Sequence, residues 1–178
     1  ITDYSRINSI VPSLQKLLVN KNKVFIISHF GRPNGKVDNN YSLKFLCNEF
    51  QEIFKKHKVH FLSSFEKNSI DKKIKEINQG EICLFENIRF NPEEEANDMN
   101  FAKDISSSFD IYINEAFSAS HRKHASIVGI PKFLTSVAGI SLSKEIENLN
   151  KFLVNAKKPN LAIIGGSKIS TKIKLIYK

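Results

Sequence analysis

The chain has 178 residues, 41% hydrophobic and 25% charged, an ordinary globular composition with enough length for one full-sized core. No apolar run approaches the roughly 18 residues a membrane helix needs, and the opening residues lack a basic-then-apolar signal pattern, so a soluble cytoplasmic protein is expected. A formal net charge of +9 would suit an anionic partner, but Lys spread over solvated helix faces gives the same total, so the positions of Arg and His must decide.

In chain order, Ile7, Ile10, Val11, Leu14, Leu17 and Leu18 fall at helical spacing and predict an amphipathic helix over residues 5–20. The period then changes. Residues 24–27 form a short apolar run ended by His29-Phe30-Gly31-Arg32-Pro33, a buried strand running into a loop. A helix is expected from Ser42 as N-cap, with Leu43, Leu46, Phe50, Ile53 and Phe54 on its apolar side, then a strand over 59–62. Ile70, Ile74 and Ile77 mark a third helix stopped by Gly80, and 82–85 the next strand. Glu93-Glu94-Glu95 reads as a solvated acidic loop, followed by a helix over 98–107 and a strand over 109–113. Cys47 and Cys83 have no Cys or His at metal-ligand spacing and read as core residues.

Helices alternating with apolar strands predict an α/β fold: a Rossmann-like parallel sheet with helices on both faces, joined by right-handed crossovers. A last helix carries Ile146, Leu149, Phe152 and Leu153; Lys157-Lys158-Pro159 breaks the chain before a new strand at 161–164. That break is the expected domain boundary, giving domains 1–156 and 157–178.

Ligands of an open parallel sheet bind beyond the carboxyl ends of its strands, where loops and helix N-termini meet. His29 and Arg32 follow one predicted strand, Arg89 another, and His121, Arg122 and His124 a third. The chain has only four arginines; the fourth, Arg6, opens the first helix. Arg grips phosphate and carboxylate through a planar fork of donors that never loses its charge. Scarce Arg at the ligand edge therefore points to a small, multiply charged anion. His57 and His60 read as structural. No spacing suggests a Ser-His-Asp triad or a metal site. Near the end, Gly165-Gly166-Ser167-Lys168 leads to Lys172 straight after a predicted strand. Backbone N–H groups and Lys can approach phosphate at such a turn, although the spacing is not that of a Walker A loop.

Taken in order, several segments resemble phosphoglycerate kinase over nearly the whole chain. They are Ile1-Thr2-Asp3 through Arg6, Ser28-His29-Phe30-Gly31-Arg32-Pro33, Leu84-Phe85-Glu86-Asn87-Ile88-Arg89-Phe90, Asn114-Glu115-Ala116-Phe117-Ser118-Ala119-Ser120-His121-Arg122-Lys123-His124-Ala125-Ser126, and the stretch from Gly165 to Lys172. The resemblance implies the N-terminal lobe of a two-lobe kinase, with an interdomain helix and the start of the nucleotide-binding domain. It further implies reversible phosphoryl transfer between 1,3-bisphosphoglycerate and Mg-ADP, giving 3-phosphoglycerate and Mg-ATP.

By the same resemblance, Arg32, Arg89 and Arg122, with His29, His121 and the backbone at Phe30 and Gly31, would hold 3-phosphoglycerate. Arg6 would meet the substrate and the transferring phosphoryl group, and Lys168 and Lys172, with Gly165 and Gly166, the nucleotide phosphates; Lys168 would also act in catalysis. Mg2+ would enter with ATP or ADP, its binding region lying outside this chain, and a monomer with no nucleic-acid or membrane partner is expected. The family usually has Asp at the position of Glu115 and Gly at that of Ser118. It also has an opening strand and most of a nucleotide lobe that this chain lacks, so the chain alone is not expected to turn over. Two other readings stay open: a non-catalytic fragment that only binds a small phosphorylated acid, and, with far less support, a nucleic-acid module prompted by charge and by 14 Phe, for which no recognition pattern appears.

Overall fold

The computed structural model describes residues 3–153. The chain divides into two compact units, Ile1–Lys144 and Glu145–Lys178. The first carries both sheets. Helix α1 spans Ser5–Val19 and leads through a tight turn, with Lys21 at a φ of 57°, into β1, Val24–Ile26. Helix α2 is Leu46–Ile53, β2 Val59–Leu62, α3 Lys67–Glu76 and β3 Ile82–Phe85. Then come the short α4, Pro92–Ala96, α5, Met99–Ser106, and β4, Ile111–Asn114. Strand β5, Thr135–Ala138, precedes α6, Ile140–Leu153.

The predicted parallel α/β arrangement is present. Strands β1, β3 and β2 form one parallel sheet in that order, with Val24 and Val59 both in register with Ile82. Strands β4 and β5 pair in parallel as a second sheet. The central strand β3 is buried at all four positions, as its unbroken Ile-Cys-Leu-Phe run predicts. Its alternation divides the core. Ile82 packs with Leu14, Leu18, Phe50 and Phe54 of the α1 and α2 side, whereas Cys83 and Phe85 pack with Ile70, Ala102 and Ile105 of α3 and α5. Helices thus cover both faces.

Several details differ from expectation. Ser42 does not cap α2, which begins four residues later; its hydroxyl donates to Glu86 Oε2 at 2.7 Å. A 3-10 turn at Asn39–Tyr41, capped by Asp38, occupies the approach instead. The strand expected at 109–113 starts two residues later. Strand β5 has no counterpart in the sequence reading, because all four of its residues are exposed and Thr-Ser-Val-Ala carries no apolar signature. The Glu93-Glu94-Glu95 run is not a solvated loop but the body of α4, with Pro92 in its first turn and Glu94 only 2% exposed.

Asp98 caps α5 by accepting from Phe101 N at 2.8 Å. Cys83 is fully buried, which pushes its thiol up to about 12; Cys47 is free and half-buried. The strand expected at 161–164 and the break at Lys157-Lys158-Pro159 lie outside the described residues.

Phe85 has no exposed surface and stacks on Phe65 with ring centroids 4.7 Å apart. Truncation to Ala removes a core ring from the central strand, so urea denaturation of Phe85→Ala is expected to show a loss of about 3–5 kcal/mol.

Candidate functional site: an anion cradle at the strand ends

The loops after β1, β3 and β4 are held together by buried polar groups. Asn87, fully buried, donates from Nδ2 to Phe30 O at 2.7 Å and to Tyr41 O at 2.9 Å, while its Oδ1 accepts from Arg89 N at 3.1 Å. Glu86 Oε1 accepts from Leu43 N and Asn87 N, each at 2.7 Å. Ile88 N reaches back to Ser28 O at 3.1 Å. The loop from His29 to Arg32 is therefore fastened to the end of β3. Gly31 has a φ of 63°, and a Cβ there would overlap the Tyr41 ring, so the turn requires glycine on both counts.

Arg89 is the centre of the cradle. Its side chain is 4% exposed; Nη1 donates to Gly31 O at 2.7 Å, and Nε lies 3.3 Å from Glu95 Oε1 in an ion pair without hydrogen-bond geometry. Nη2 is buried with no hydrogen-bond partner. Burial lowers the pKa of this guanidinium, and the charges of Arg122 and Arg32 lower it further. His29 stands among the same charges. Desolvation, then Arg89, Arg122, His124 and Arg6, push its ring from an ordinary 6.5 down to about 4. All four arginines thus act on one small region. Buried donors without partners are costly, and like charges repel, so an anion placed here would relieve both costs.

Phe30 is 45% exposed and meets Tyr41 edge-on. Arg6 and Arg32 are exposed, and Arg122 is half-buried. His121 stands exposed on the same loop as Arg122, outside the group of charges acting on His29. Gly165, Gly166, Lys168 and Lys172 lie outside the described residues.

Sequence reasoning did not count His124 or Glu94 among the site residues. Glu94 Oε2 accepts from Ser126 N at 2.8 Å, Oε1 from Ser126 Oγ at 2.6 Å, and His124 Nδ1 lies 3.4 Å from Oε1. Glu94 thereby secures the far end of the Arg122 loop at the first residues of the π-helical turn Ala125–Gly129. The Pro92 that precedes the acidic run was the available signal, since Pro favours a first helical turn.

His57 and His60 are structural, as expected. They bond Gly80 O and Glu81 Oε2, each at 2.7 Å, before the N-terminal end of β3, away from the cradle. Among the described residues, no three or more His, Cys, Asp or Glu side chains are grouped to hold a metal, and no helix is long and apolar enough to cross a membrane.

The family model of phosphoglycerate kinase matches residues 1–178. The chain belongs to the phosphoglycerate kinase family. It is 45% identical over 178 residues to the phosphoglycerate kinase of Wolbachia pipientis wMel, covering 100% of this chain and 44% of that protein. To the phosphoglycerate kinase of Moorella thermoacetica it is 40% identical over 176 residues, with 99% and 44% covered. The solved phosphoglycerate kinase of Coxiella burnetii superposes with a TM-score of 0.85 at 35% identity, again over 99% of this chain and 44% of that one. The phosphoglycerate kinase of Pyrococcus horikoshii OT3 gives a TM-score of 0.87 at 27% identity, with the same coverage. The chain therefore spans less than half the length of these relatives.

Two outcomes follow from the cradle. The His29 ring is expected to titrate near 4 in the free protein and at higher pH once an anion offsets the surrounding arginines, which ring-nitrogen NMR over a pH series would read. Because the folded value lies below the ordinary 6.5, the unfolded chain binds more protons between those limits. His29 therefore costs stability progressively as pH falls from 6.5, and the loss levels off below the folded value. Asn87→Ala removes the partner of several backbone groups at once and is expected to cost on the order of 2–4 kcal/mol in chemical denaturation.

Proposed function

We propose that this chain is part of a cytoplasmic phosphoglycerate kinase and that its arginine cradle holds 3-phosphoglycerate. The reaction is the reversible transfer of a phosphoryl group between 1,3-bisphosphoglycerate and ADP, giving 3-phosphoglycerate and ATP. The observation that carries this reading is Arg89, buried with Nη2 unpartnered beside the other guanidinium groups. A planar fork with a free donor suits a phosphate or carboxylate oxygen.

In this reading Arg32, Arg89 and Arg122, with His29, His121 and the backbone of Phe30 and Gly31, bind the phosphorylated acid. Arg6, projecting from the first turn of α1, meets the carboxyl end, where the phosphoryl group arrives. Lys168 and Lys172, with Gly165 and Gly166, take the nucleotide phosphates, Lys168 also helping to carry the transfer. Residues 1–156 then form the acid-binding domain with its interdomain helix, and 157–178 open the nucleotide-binding domain. Mg2+ enters with the nucleotide, and the enzyme works as a monomer.

Phosphoryl transfer asks little covalent chemistry of a protein. Rate comes from alignment of donor and acceptor and from neutralising charge on the equatorial oxygens. A neutral His29 can orient the acid through one ring N–H without adding to the repulsion among the arginines, and the buried Arg89 acts where water screens it least. Closure of the nucleotide lobe over the acid excludes water from the transfer.

In the full-length enzyme, Arg89→Lys keeps the charge but loses the fork. It is expected to lower kcat/KM for 3-phosphoglycerate at least about tenfold, with KM for ATP little changed. A steady-state loss smaller than about twofold in both Arg89→Lys and Arg32→Ala would sink the assignment.

A further inference from the structure

Glu115, the residue after β4, has no part in the anion cradle described above, yet three segments meet on its carboxylate. Oε1 accepts from the hydroxyl of Ser13, a buried residue of α1. Oε2 accepts from Ser141 N at 3.0 Å and Leu142 N at 3.1 Å, two of the unpaired N–H groups at the start of α6. Ser13 Oγ in turn accepts from Ile140 N at 3.1 Å. Gly139 leaves room for this arrangement, since a Cβ there would overlap the Glu115 carboxyl group, while Gly139 N donates to Asn114 O at 2.8 Å.

Glu115 is also the root of the loop that carries Arg122, and hydrogen bonds run along that loop without a gap. Asn114 Oδ1 accepts from Ala116 N at 2.8 Å, Ala116 O from Ala119 N at 3.0 Å, and Ala119 O from Arg122 N at 2.9 Å. Ser120 Oγ adds a bond to Ala116 O at 3.0 Å. A shift at Glu115 is therefore carried to Arg122. On the other arm Ser13 lies two helical turns along α1 from Arg6, in the same helix and directly after its internal Pro12.

We infer that Glu115 is a positioning residue: it ties α1 and the β4 loop to the start of α6, and so fixes Arg6 and Arg122 relative to each other across the anion cradle. This rests on the proposed function, because the two arginines must share one substrate for their spacing to matter. The carboxylate acts through geometry. Glu115→Gln keeps an acceptor for the α6 amides and can donate to Ser13 Oγ, so it should preserve the junction; Glu115→Ala removes all three of its bonds, and Ser13→Ala cuts the α1 arm, with its bond to Ile140 N, while leaving Ser141 N and Leu142 N on Glu115.

In the full-length enzyme, Glu115→Ala and Ser13→Ala are each expected to raise KM for 3-phosphoglycerate roughly fivefold or more, with KM for ATP unchanged and Glu115→Gln within about twofold of wild type. A residue that only capped α6 would lower the melting temperature and leave both KM values alone. That result, or a KM for 3-phosphoglycerate unchanged in Ser13→Ala, would overturn the inference, and Ser13→Ala serves as the test if Glu115→Ala fails to fold. Should the wild-type enzyme itself show no transfer to 3-phosphoglycerate, the proposed function fails instead. Arginine side-chain NMR then decides separately: Glu115→Ala should move the Arg6 and Arg122 signals and spare Arg89, and spectra identical to wild type would reject the positioning role.

Discussion

One buried guanidinium sets the terms for the rest of this unit. Removing a charge from water costs several kcal/mol even after relaxation, and Arg89 recovers only part of that from Gly31 O and Glu95. Arg122 and Arg32 raise the electrostatic cost further. The surrounding scaffold must therefore hold groups that repel one another. It does so with well-bonded acceptors and donors: the buried Asn87 and half-buried Glu86 under the β1 loop, the buried Glu94 under the Arg122 loop. These polar bonds lie beneath the cradle rather than in it, which is how a site can be rigid before its ligand arrives.

The parallel sheet makes this division possible. All strands point the same way, so one end of the three-stranded sheet collects the loops with His29, Arg32 and Arg89. The other end collects tight returns fastened by His57, His60 and Glu81. Core packing fixes the strands along their length, with β3 buried on both faces. A loop at the ligand end can therefore carry strain and unsatisfied donors without loosening the core, since the two are separated by the length of the strand.

What could be read from the sequence follows the same division. Strands β1, β2 and β3 and helix α1 have unbroken or strictly periodic apolar residues, and the structure has them within a residue or two of the expected positions. Strand β5 was not legible, because four exposed residues bury nothing and so leave no apolar pattern. Helix α2 was expected to begin at Ser42, but the carboxylate of Glu86 claims that hydroxyl, a tertiary bond that no local window contains. Glu94 failed for the same reason: a run of three acidic residues reads as solvated, and only the return of Ser126 from 32 positions along the chain makes one of them a buried acceptor. The arginines were legible because they are scarce and follow strands. The polar groups that hold them were not, because Asn, Glu and Ser occur everywhere and acquire meaning only from their partners.

The basic charge of the chain resolves into two populations on these grounds. Lysines account for most of it, and several, such as Lys67 and Lys73, make exposed pairs with acidic neighbours on their own helix, contacts of little energetic weight. The arginines behave otherwise. Had the excess of basic residues been indifferent to function, four arginines would be scattered over the surface as the lysines are. Instead every one acts on His29 or on Arg89. Lys could supply the same net charge at these positions, but a flexible ammonium keeps its hydration shell and does not present two parallel donors. Under the proposed function, segregation of the two cations, Lys to the solvated helices and three of the four Arg to the loops after strands, is the trace that an anion of fixed shape leaves on a composition otherwise free to drift.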